Sequence, residues 1–436
     1  MSINSLISSG DITLEELQQL LQENSGLIRA KDAVGFTALH HCARNDRCDL
    51  AEHILSLAGE DKKKLILQSG GVTLVTPLHL GAIKGNLNII KLFMTFMEEV
   101  EYREFLSENK DRDGNTVVLL SIIHNHLEMF QYFYELGGCT LLNDVNNEGN
   151  NCTILCAIYG HLDIFRFIAA IKKLYPPMND EIFDEELASC RTITEITPTF
   201  SRVNKNKHHL FLRKNDSYDT LLHCAVNHAQ LDFLRYVVTK VNYPKIVLIL
   251  NQMDQQNLLH RACIKGHVDV VKYLLYMTTI NHFDKPNPYD NELAKTLISS
   301  KDLVNEFTPL HYAAQCSHLG IIREILFLVK SLNILFYENK DKMTPYNTIV
   351  SKEGKEELVR YIDEFLEEKR KIEENELTVK LTEEFERRLA EEKSNKPPTG
   401  ISAKPALVAV KQEDAVELSS KDAVDLGGGP IDQGSS

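Results

Sequence analysis

Three residues that could bind a metal or take part in catalysis, His260, Cys263 and His267, lie within eight positions of the stretch LLHRACIKGHVDVVKYLL. Imidazole nitrogen and thiolate sulfur are ligands that transition metals prefer, and an imidazole next to a thiol can generate a nucleophile. A second set, Cys190 with His208 and His209, occurs elsewhere in the chain. Whether either set performs chemistry depends on the elements that hold it.

No motif of a known catalytic site accompanies these residues, since HExxH, GxxxxGK[ST], GxSxG and GxGxxG are all missing from the sequence. The nine cysteines are scattered and contain no CxxC pair, which predicts a reducing compartment with cysteines used as small apolar side chains. We therefore expect a non-enzymatic protein with no catalytic residue, no metal and no cofactor.

The composition narrows the classes of partner. The 436 residues carry a formal net charge of −14, which disfavours nonspecific binding to nucleic acid or to an anionic membrane. The opening MSINSLISSGDITLEE lacks the basic and apolar regions of a secretory signal, and the runs VVLLSII and IVLIL are too short to span a bilayer. These features predict a cytoplasmic protein with no membrane span and no nucleic-acid partner.

The stretch around His260 recurs along the chain. NLLHRACIKGHVDVVKYLL aligns with TPLHYAAQCSHLGIIREIL, TPLHLGAIKGNLNIIKLFM and TALHHCARNDRCDLAEHIL. Each copy opens with a helix-capping Thr or Asn and continues with small and then apolar residues at helical spacing. Two such helices bury their apolar faces only when units stack. The lead residues of the eight copies are Thr37, Thr76, Thr116, Asn151, Thr220, Asn257, Thr308 and Thr344.

The TPLH box, the small-residue helix, the Gly-His turn and the apolar second helix resemble ankyrin repeats over roughly residues 30–365. The resemblance implies an all-α ankyrin-repeat solenoid of about eight helix-turn-helix repeats with short hairpin turns. These units are longer than the family's usual ~33 residues, and five of them lack the hairpin glycine, so we expect irregular hairpins. The residues that replace this glycine are Leu74, Tyr218, Gln255, Glu306 and Lys342.

The resemblance also changes the interpretation of the first candidates. It implies that the box histidine, His260 here, hydrogen-bonds within its own turn and to the next repeat. Cys263 has no cysteine at the equivalent place in other copies, and we expect it to fill space in the core. His267 is a turn residue of the family. The other box histidines are His40, His79, His223 and His311, and the other turn histidines are His126, His161 and His318.

The boundaries follow from the repeats and from shifts in composition. We expect a capping helix, opened by Asp11 or Thr13, to close the N-terminal end of the stack. The expected order is a capping region at 1–30, repeats 1–4 at 31–170, an acidic then basic insertion at 171–214, repeats 5–8 at 215–350 with a loop insertion at 276–303, a charged amphipathic helix at 351–393 and a disordered tail at 394–436.

For function, the family implies a monomeric interaction scaffold or adaptor that binds one or more proteins on its concave face. Tyr, Phe and Arg are side-chain types that often supply interface energy. The residues expected to face outward on that surface are Phe36, Arg44, Lys84, His124, Tyr159, Tyr218, His228, Lys265, Phe307 and Gln315.

Two other hypotheses stay open. The insertion at 171–214 could present a catalytic site around Cys190, or a phosphate-binding site in its basic half at 202–214. That half could equally be a solvated loop paired with the acidic half. The chain is also similar to ankyrin effectors that intracellular bacteria inject into host cells, in which case residues 401–436 would be the delivery signal and the host cytosol or nucleus the site of action.

Overall fold

A computed structural model describes residues 3–171, 213–241, 244–277, 292–329 and 331–394. Each of repeats 1 to 7 contains a hairpin before the lead residue, a first helix after it, and a second helix that returns antiparallel. The first helices are Ala38–Arg44, Pro77–Lys84, Val117–Ile123, Cys152–Tyr159, Leu221–Asn227, Leu258–Lys265 and Pro309–Gln315. The second helices are Cys48–Leu57, Leu87–Met94, Leu127–Gly137, Leu162–Ala170, Leu231–Val241, Val268–Met277 and Leu319–Val329. Repeat 8 has a hairpin and the short helix Pro345–Thr348, and the long helix Lys352–Ser394 follows it.

The lead residue caps every first helix. Thr116 Oγ1 accepts a hydrogen bond from the backbone N–H of Leu119, and Asn151 Oδ1 accepts from those of Thr153 and Ile154. These donors have no partner inside the helix, so the caps satisfy groups that would otherwise be buried unpaired. The predicted helix starts are confirmed.

Two positions in each of repeats 1 to 7, and one in repeat 8, adopt the left-handed backbone region. The first lies two residues before the lead residue, at the hairpin, and the second nine residues after it, between the two helices. The hairpin positions are Gly35, Leu74, Gly114, Gly149, Tyr218, Gln255, Glu306 and Lys342, all with φ between 53° and 91°. The expectation of irregular hairpins was therefore wrong, because residues other than glycine adopt the same conformation at a cost of about 1 kcal/mol each.

The additional length of the repeats lies after the second helix. Short α-helices such as Lys62–Ile66 and Tyr102–Glu108, or 3-10 turns such as Gly138–Asn143, connect one repeat to the next hairpin. Part of the expected loop at 276–303 is also helical, since Glu292–Ser299 buries Leu297 against the core. The loop assignment was wrong there because leucine and isoleucine recur at helical spacing.

Repeats 4 and 5 stack directly although 41 residues, 172–212, separate their described parts. Phe165 of repeat 4 and Phe233 of repeat 5 are fully buried, with ring centroids 4.6 Å apart. The Asp216 backbone N–H donates to Glu148 O at 3.0 Å, which links the two hairpins. The insertion, with Cys190, His208 and His209, lies outside the described residues.

A pair of helices covers the N-terminal end of the stack, where the sequence predicted one. Ile3–Ser9 packs on the first helix of repeat 1, and Leu14–Glu23 packs on the second. Asn4, which is 2% exposed, donates its side-chain N–H to the carbonyls of Ala30 and Phe36. Thr13 and Glu16 form a capping box at the start of the second of these helices.

The last described helix is Lys352–Ser394. Its beginning belongs to the compact unit that ends at Glu368, in which Leu358 is fully buried and Phe365 packs edge-on against Phe327 at 5.9 Å. Within the second unit, from Lys369, the described apolar side chains such as Leu377 and Leu381 are exposed. No helix in the described part of the chain is long and apolar enough to cross a membrane.

Candidate functional site

The box histidines join consecutive repeats. In repeat 6, the Asn257 backbone N–H donates to His260 Nδ1 at 3.2 Å, while His260 Nε2 donates to Phe307 O of repeat 7 at 3.0 Å. The same link reaches from His40 to Val75 O at 3.2 Å. It repeats from His223 to Gln256 O and from His311 to Met343 O.

This arrangement fits a neutral imidazole, in which Nδ1 accepts a hydrogen bond from the backbone N–H and Nε2 donates one to the carbonyl. Burial lowers the pKa of His40, His223 and His260 to about 4, from a usual value of 6.5. It also lowers the pKa of His79 and His311. The box histidines are therefore uncharged, and four of them, His40, His223, His260 and His311, link consecutive repeats, whereas His79 Nε2 has no hydrogen-bond partner among the described residues.

A second row of side chains joins repeats at the turn between the two helices. His267 Nε2 donates to Asn227 O of the preceding repeat at 3.2 Å, and His318 donates to Ile264 O at 3.2 Å. In other repeats Asn86 and Gln230 make the same contact with an amide nitrogen. These bonds satisfy carbonyls at the end of the preceding first helix, which have no partner inside it.

The first candidate cluster is therefore not a reactive site. Cys263 is fully buried, and burial raises the pKa of its thiol well above the usual value, so it stays protonated and poorly nucleophilic. His260 and His267 are both occupied by backbone groups of neighbouring repeats. Among the residues that the structure describes, no group of three or more His, Cys, Asp or Glu side chains could hold a metal ion.

The hairpins form a row that is held together by side-chain and backbone hydrogen bonds. An Asp or Asn side chain accepts two N–H groups within its own hairpin, as Asp111 does from Asp113 and Asn115. Neighbouring hairpins then bond to each other, for example from Arg112 N–H to Thr73 O at 2.9 Å. A rigid row of this kind holds the side chains at its edge in fixed positions.

The structure places the ten predicted contact residues in three classes. Phe36 and Tyr218 are half-buried. Phe307 is only 6% exposed and stacks on His311 at 5.2 Å, so its predicted outward position was wrong. The seven exposed ones are Arg44, Lys84, His124, Tyr159, His228, Lys265 and Gln315, all at or next to the end of a first helix.

Phe307 was assigned to the exposed position of its hairpin, but it occupies the neighbouring, buried position. The residue directly before the lead residue is buried in repeats 2 to 7, as Val75 and Gln256 are at 6% exposure each. The residue two before it takes the left-handed conformation and remains more exposed, as Leu74 does at 50%. A shift of one position in a hairpin exchanges the two faces.

Sequence reasoning missed a set of exposed apolar side chains at the hairpins, which we name the apolar tips. They occur in repeats 1, 2, 6 and 7, whereas in repeats 3 to 5 the two residues before the left-handed hairpin position are polar. Apolar residues inside a turn were the signal that could have revealed them. The apolar tips are Val34, Val72, Leu74, Met253, Leu303 and Val304, each at least 50% exposed.

Next to the apolar tips of repeats 6 and 7 lies a polar cluster, formed by Asp219, Asp254, Arg261, Asp302, Gln256 and Tyr312. Arg261 Nη2 lies 3.2 Å from Asp219 Oδ1 and 3.1 Å from Asp254 Oδ2. Tyr312 donates its hydroxyl to Asp302 Oδ2 at 2.6 Å and accepts from Gln256 Nε2 at 2.9 Å. The equivalent of Arg261 is Leu120 in repeat 3 and Leu155 in repeat 4, so the cluster is special to this part of the stack.

The described end of the 171–214 insertion attaches to the stack. Arg213 donates to Asn143 Oδ1 at 2.7 Å, and Lys214 donates to Gln252 Oε1 at 3.3 Å. These two basic residues therefore have partners within the repeats. The rest of the basic stretch lies outside the described residues.

Comparison with known families agrees with this geometry. A family model described as ankyrin repeats (3 copies) matches residues 78–176 and 196–284. Another, described as ankyrin repeats (many copies), matches residues 259–323. Together they cover more than half of the chain, and ankyrin repeats are generally protein–protein interaction modules. With the repeated caps, box histidines and hairpins, these matches establish that the chain belongs to the ankyrin-repeat family.

Proposed function

We propose that this protein is a non-enzymatic scaffold that binds partner proteins along the face made by its hairpins and first helices. The observation that carries the proposal is the set of apolar tips. Six side chains, each at least half exposed, are held on a hydrogen-bonded row of hairpins. They form two groups, one in repeats 1 and 2 and one in repeats 6 and 7, and grouped exposed apolar side chains are typical of protein-binding surfaces.

Conformational strain supports the same assignment. Leu74 combines a left-handed backbone, φ 57°, with 50% exposure of an apolar side chain. Both features disfavour folding. Glycine at this position would avoid the backbone strain, and a polar residue would avoid the exposed apolar surface. Keeping a leucine there is understandable if a partner covers it.

The test uses affinity capture from cell lysate with the full chain as bait, read by mass spectrometry. The double variant Leu303→Ser, Val304→Ser removes two apolar tips, which are 54% and 58% exposed. The matched control is Tyr276→Ser, because Tyr276 is 60% exposed but lies on the second helix of repeat 6. We expect the double variant to lose partners that wild type and control retain. Equal capture by all three would refute the proposed face.

The finer hypotheses have no support from the described residues. A catalytic or phosphate-binding insertion and a delivery signal in 401–436 both concern segments outside them. Deletion of 172–212 should leave partner capture unchanged if the repeats alone bind.

A further inference from the structure

We propose that the polar cluster of repeats 5 to 7 receives the side chain of a lysine or arginine from a partner protein, with apolar residues of the same partner segment resting on Met253, Leu303 and Val304. This inference deepens the proposed function and rests on it. It assigns a partner chemistry to one part of the binding face, where carboxylates, an unused acceptor and apolar tips coincide.

The charge balance of the cluster favours a cation. Arg261 pairs with two carboxylates, those of Asp219 and Asp254, and the cluster holds a third, that of Asp302, which accepts from Tyr312. At the edge of the cluster, Lys214 donates to Gln252 Oε1 at 3.3 Å and Lys301 pairs with Glu306 at 3.2 Å. Carboxylates in excess within a half-buried site attract a positive side chain more strongly than they would in open water.

An acceptor without a donor lies inside the same cluster. Gln256 is 6% exposed, its backbone N–H donates to Asp254 Oδ1 at 2.9 Å, and its Nε2 donates to Tyr312. Its Oε1 has no hydrogen-bond partner among the described residues. A buried amide oxygen without a donor is costly, and the N–H groups of a lysine or arginine would supply one.

The cluster is reachable from the surface on the side of Asp254 and Arg261. The Asp254 and Arg261 side chains are 21% and 20% exposed. Burial raises the pKa of the Asp254 carboxyl, Arg261 and the Gln256 backbone N–H oppose the rise, and the negative charges of Asp219 and Asp302 add to it. A bound cation would oppose the rise further.

The apolar tips border the cluster directly. Met253 precedes Asp254 and Leu303 follows Asp302 in sequence, and the Leu303 backbone N–H donates to Asp254 O at 2.8 Å. Met253, Leu303 and Val304 are 54%, 54% and 58% exposed. A segment with a basic residue flanked by apolar ones therefore matches both the charge and the apolar surroundings.

The experiment selects phage-displayed random nonapeptides on the full chain and measures the recovered peptides, resynthesised with fluorescein, by fluorescence anisotropy. We expect them to share a lysine or arginine next to an apolar residue. Replacing that arginine by citrulline, its uncharged isostere, or that lysine by norleucine, should weaken binding about tenfold. The substitution is made in the peptide, so this result does not depend on the folding of a variant.

A matched pair of protein variants locates the site. Asp254→Asn should weaken binding of the same peptides about tenfold. Asp113→Asn, at the equivalent hairpin position of repeat 3, should not weaken it. Peptides that lack a basic residue but lose binding to the Leu303→Ser, Val304→Ser variant would overturn this inference and leave the proposed function standing. Equal binding to the Asp254→Asn and Asp113→Asn variants, or failure to recover any peptide, would also overturn it.

Discussion

Mild acid should loosen the stack, because the box histidines must stay neutral. His40, His223 and His260 have pKa values of about 4 in the folded chain, against 6.5 when free. Between these values the unfolded chain binds protons that the folded chain excludes, so stability decreases as the pH falls. The contribution of these groups is complete above pH 6.5 and is lost progressively as the pH falls from 6.5 toward 4.

The size of the effect follows from the same values. At pH 5, each of the three histidines should reduce the free energy of unfolding by about 2 kcal/mol relative to pH 8. His79 and His311, whose pKa values are also lowered, should act in the same direction. Loss of several kcal/mol is comparable with the total stability of an ordinary domain.

The assay is urea denaturation followed by far-ultraviolet circular dichroism between pH 8 and pH 5, on wild type and two variants. His260→Leu removes one box histidine, and the box positions of repeats 3 and 4 already carry Leu119 and Ile154. It should lower stability at pH 8 by about 1–3 kcal/mol, because the Phe307 carbonyl loses its donor. It should also reduce the slope of the free energy of unfolding with pH by up to about 1.4 kcal/mol per pH unit, which corresponds to one proton fewer bound on unfolding.

The control variant is His53→Leu, which removes a partly exposed histidine on the second helix of repeat 1. It measures how far replacing a histidine outside the boxes by leucine changes the slope of stability with pH. Carboxylates titrate alike in all three proteins, so they cancel in the comparison. If His260→Leu and wild type showed the same slope with pH, the assignment of the box histidines as neutral links would be refuted.

Three further predictions concern single positions. Leu74→Gly should raise the free energy of unfolding by about 0.5–1 kcal/mol in urea titrations, because glycine relieves the left-handed strain; a decrease would mean that the leucine contributes to folding. Phe307→Ala should lower the free energy of unfolding by about 3–5 kcal/mol because the ring is buried. Tyr159→Ala should change it by less than about 0.5 kcal/mol, because Tyr159 is 46% exposed. Similar losses for both variants would contradict the assignment of Phe307 to the buried position. Iodoacetamide should label exposed Cys316 in the native chain and spare Cys263, as peptide mapping would show; equal labelling would disprove that the Cys263 thiol is inert.

The repeated architecture could be predicted from the sequence because its determinants are local. A Thr or Asn that caps a helix, as at Thr116 and Asn151, acts on N–H groups two or three residues away. The box histidines could be identified because they recur, which a ligand set confined to one place would not do. The repeats on both sides of the insertion could be recognised despite its length, because each has its own lead residue and box.

The side chains at the hairpins could not be placed in the same way. Phe307 and Tyr218 both looked like contact residues, yet one lies directly before its lead residue and the other two before it. Only the backbone conformation shows that the first position is buried and the second is not. The polar cluster was missed as well, because Asp219 and Arg261 are 42 residues apart and meet only when repeats stack.

The sequence by itself thus determined that the chain stacks two-helix units, where each first helix begins, and that His260, Cys263 and His267 belong to the scaffold. The tertiary structure decided which side chains remain exposed on the hairpins and where charges from different repeats come together. The physical reason is the range of the interactions. Caps and helical periodicity act within one unit, whereas burial and charge pairing depend on the neighbouring repeat, and its position is fixed by packing.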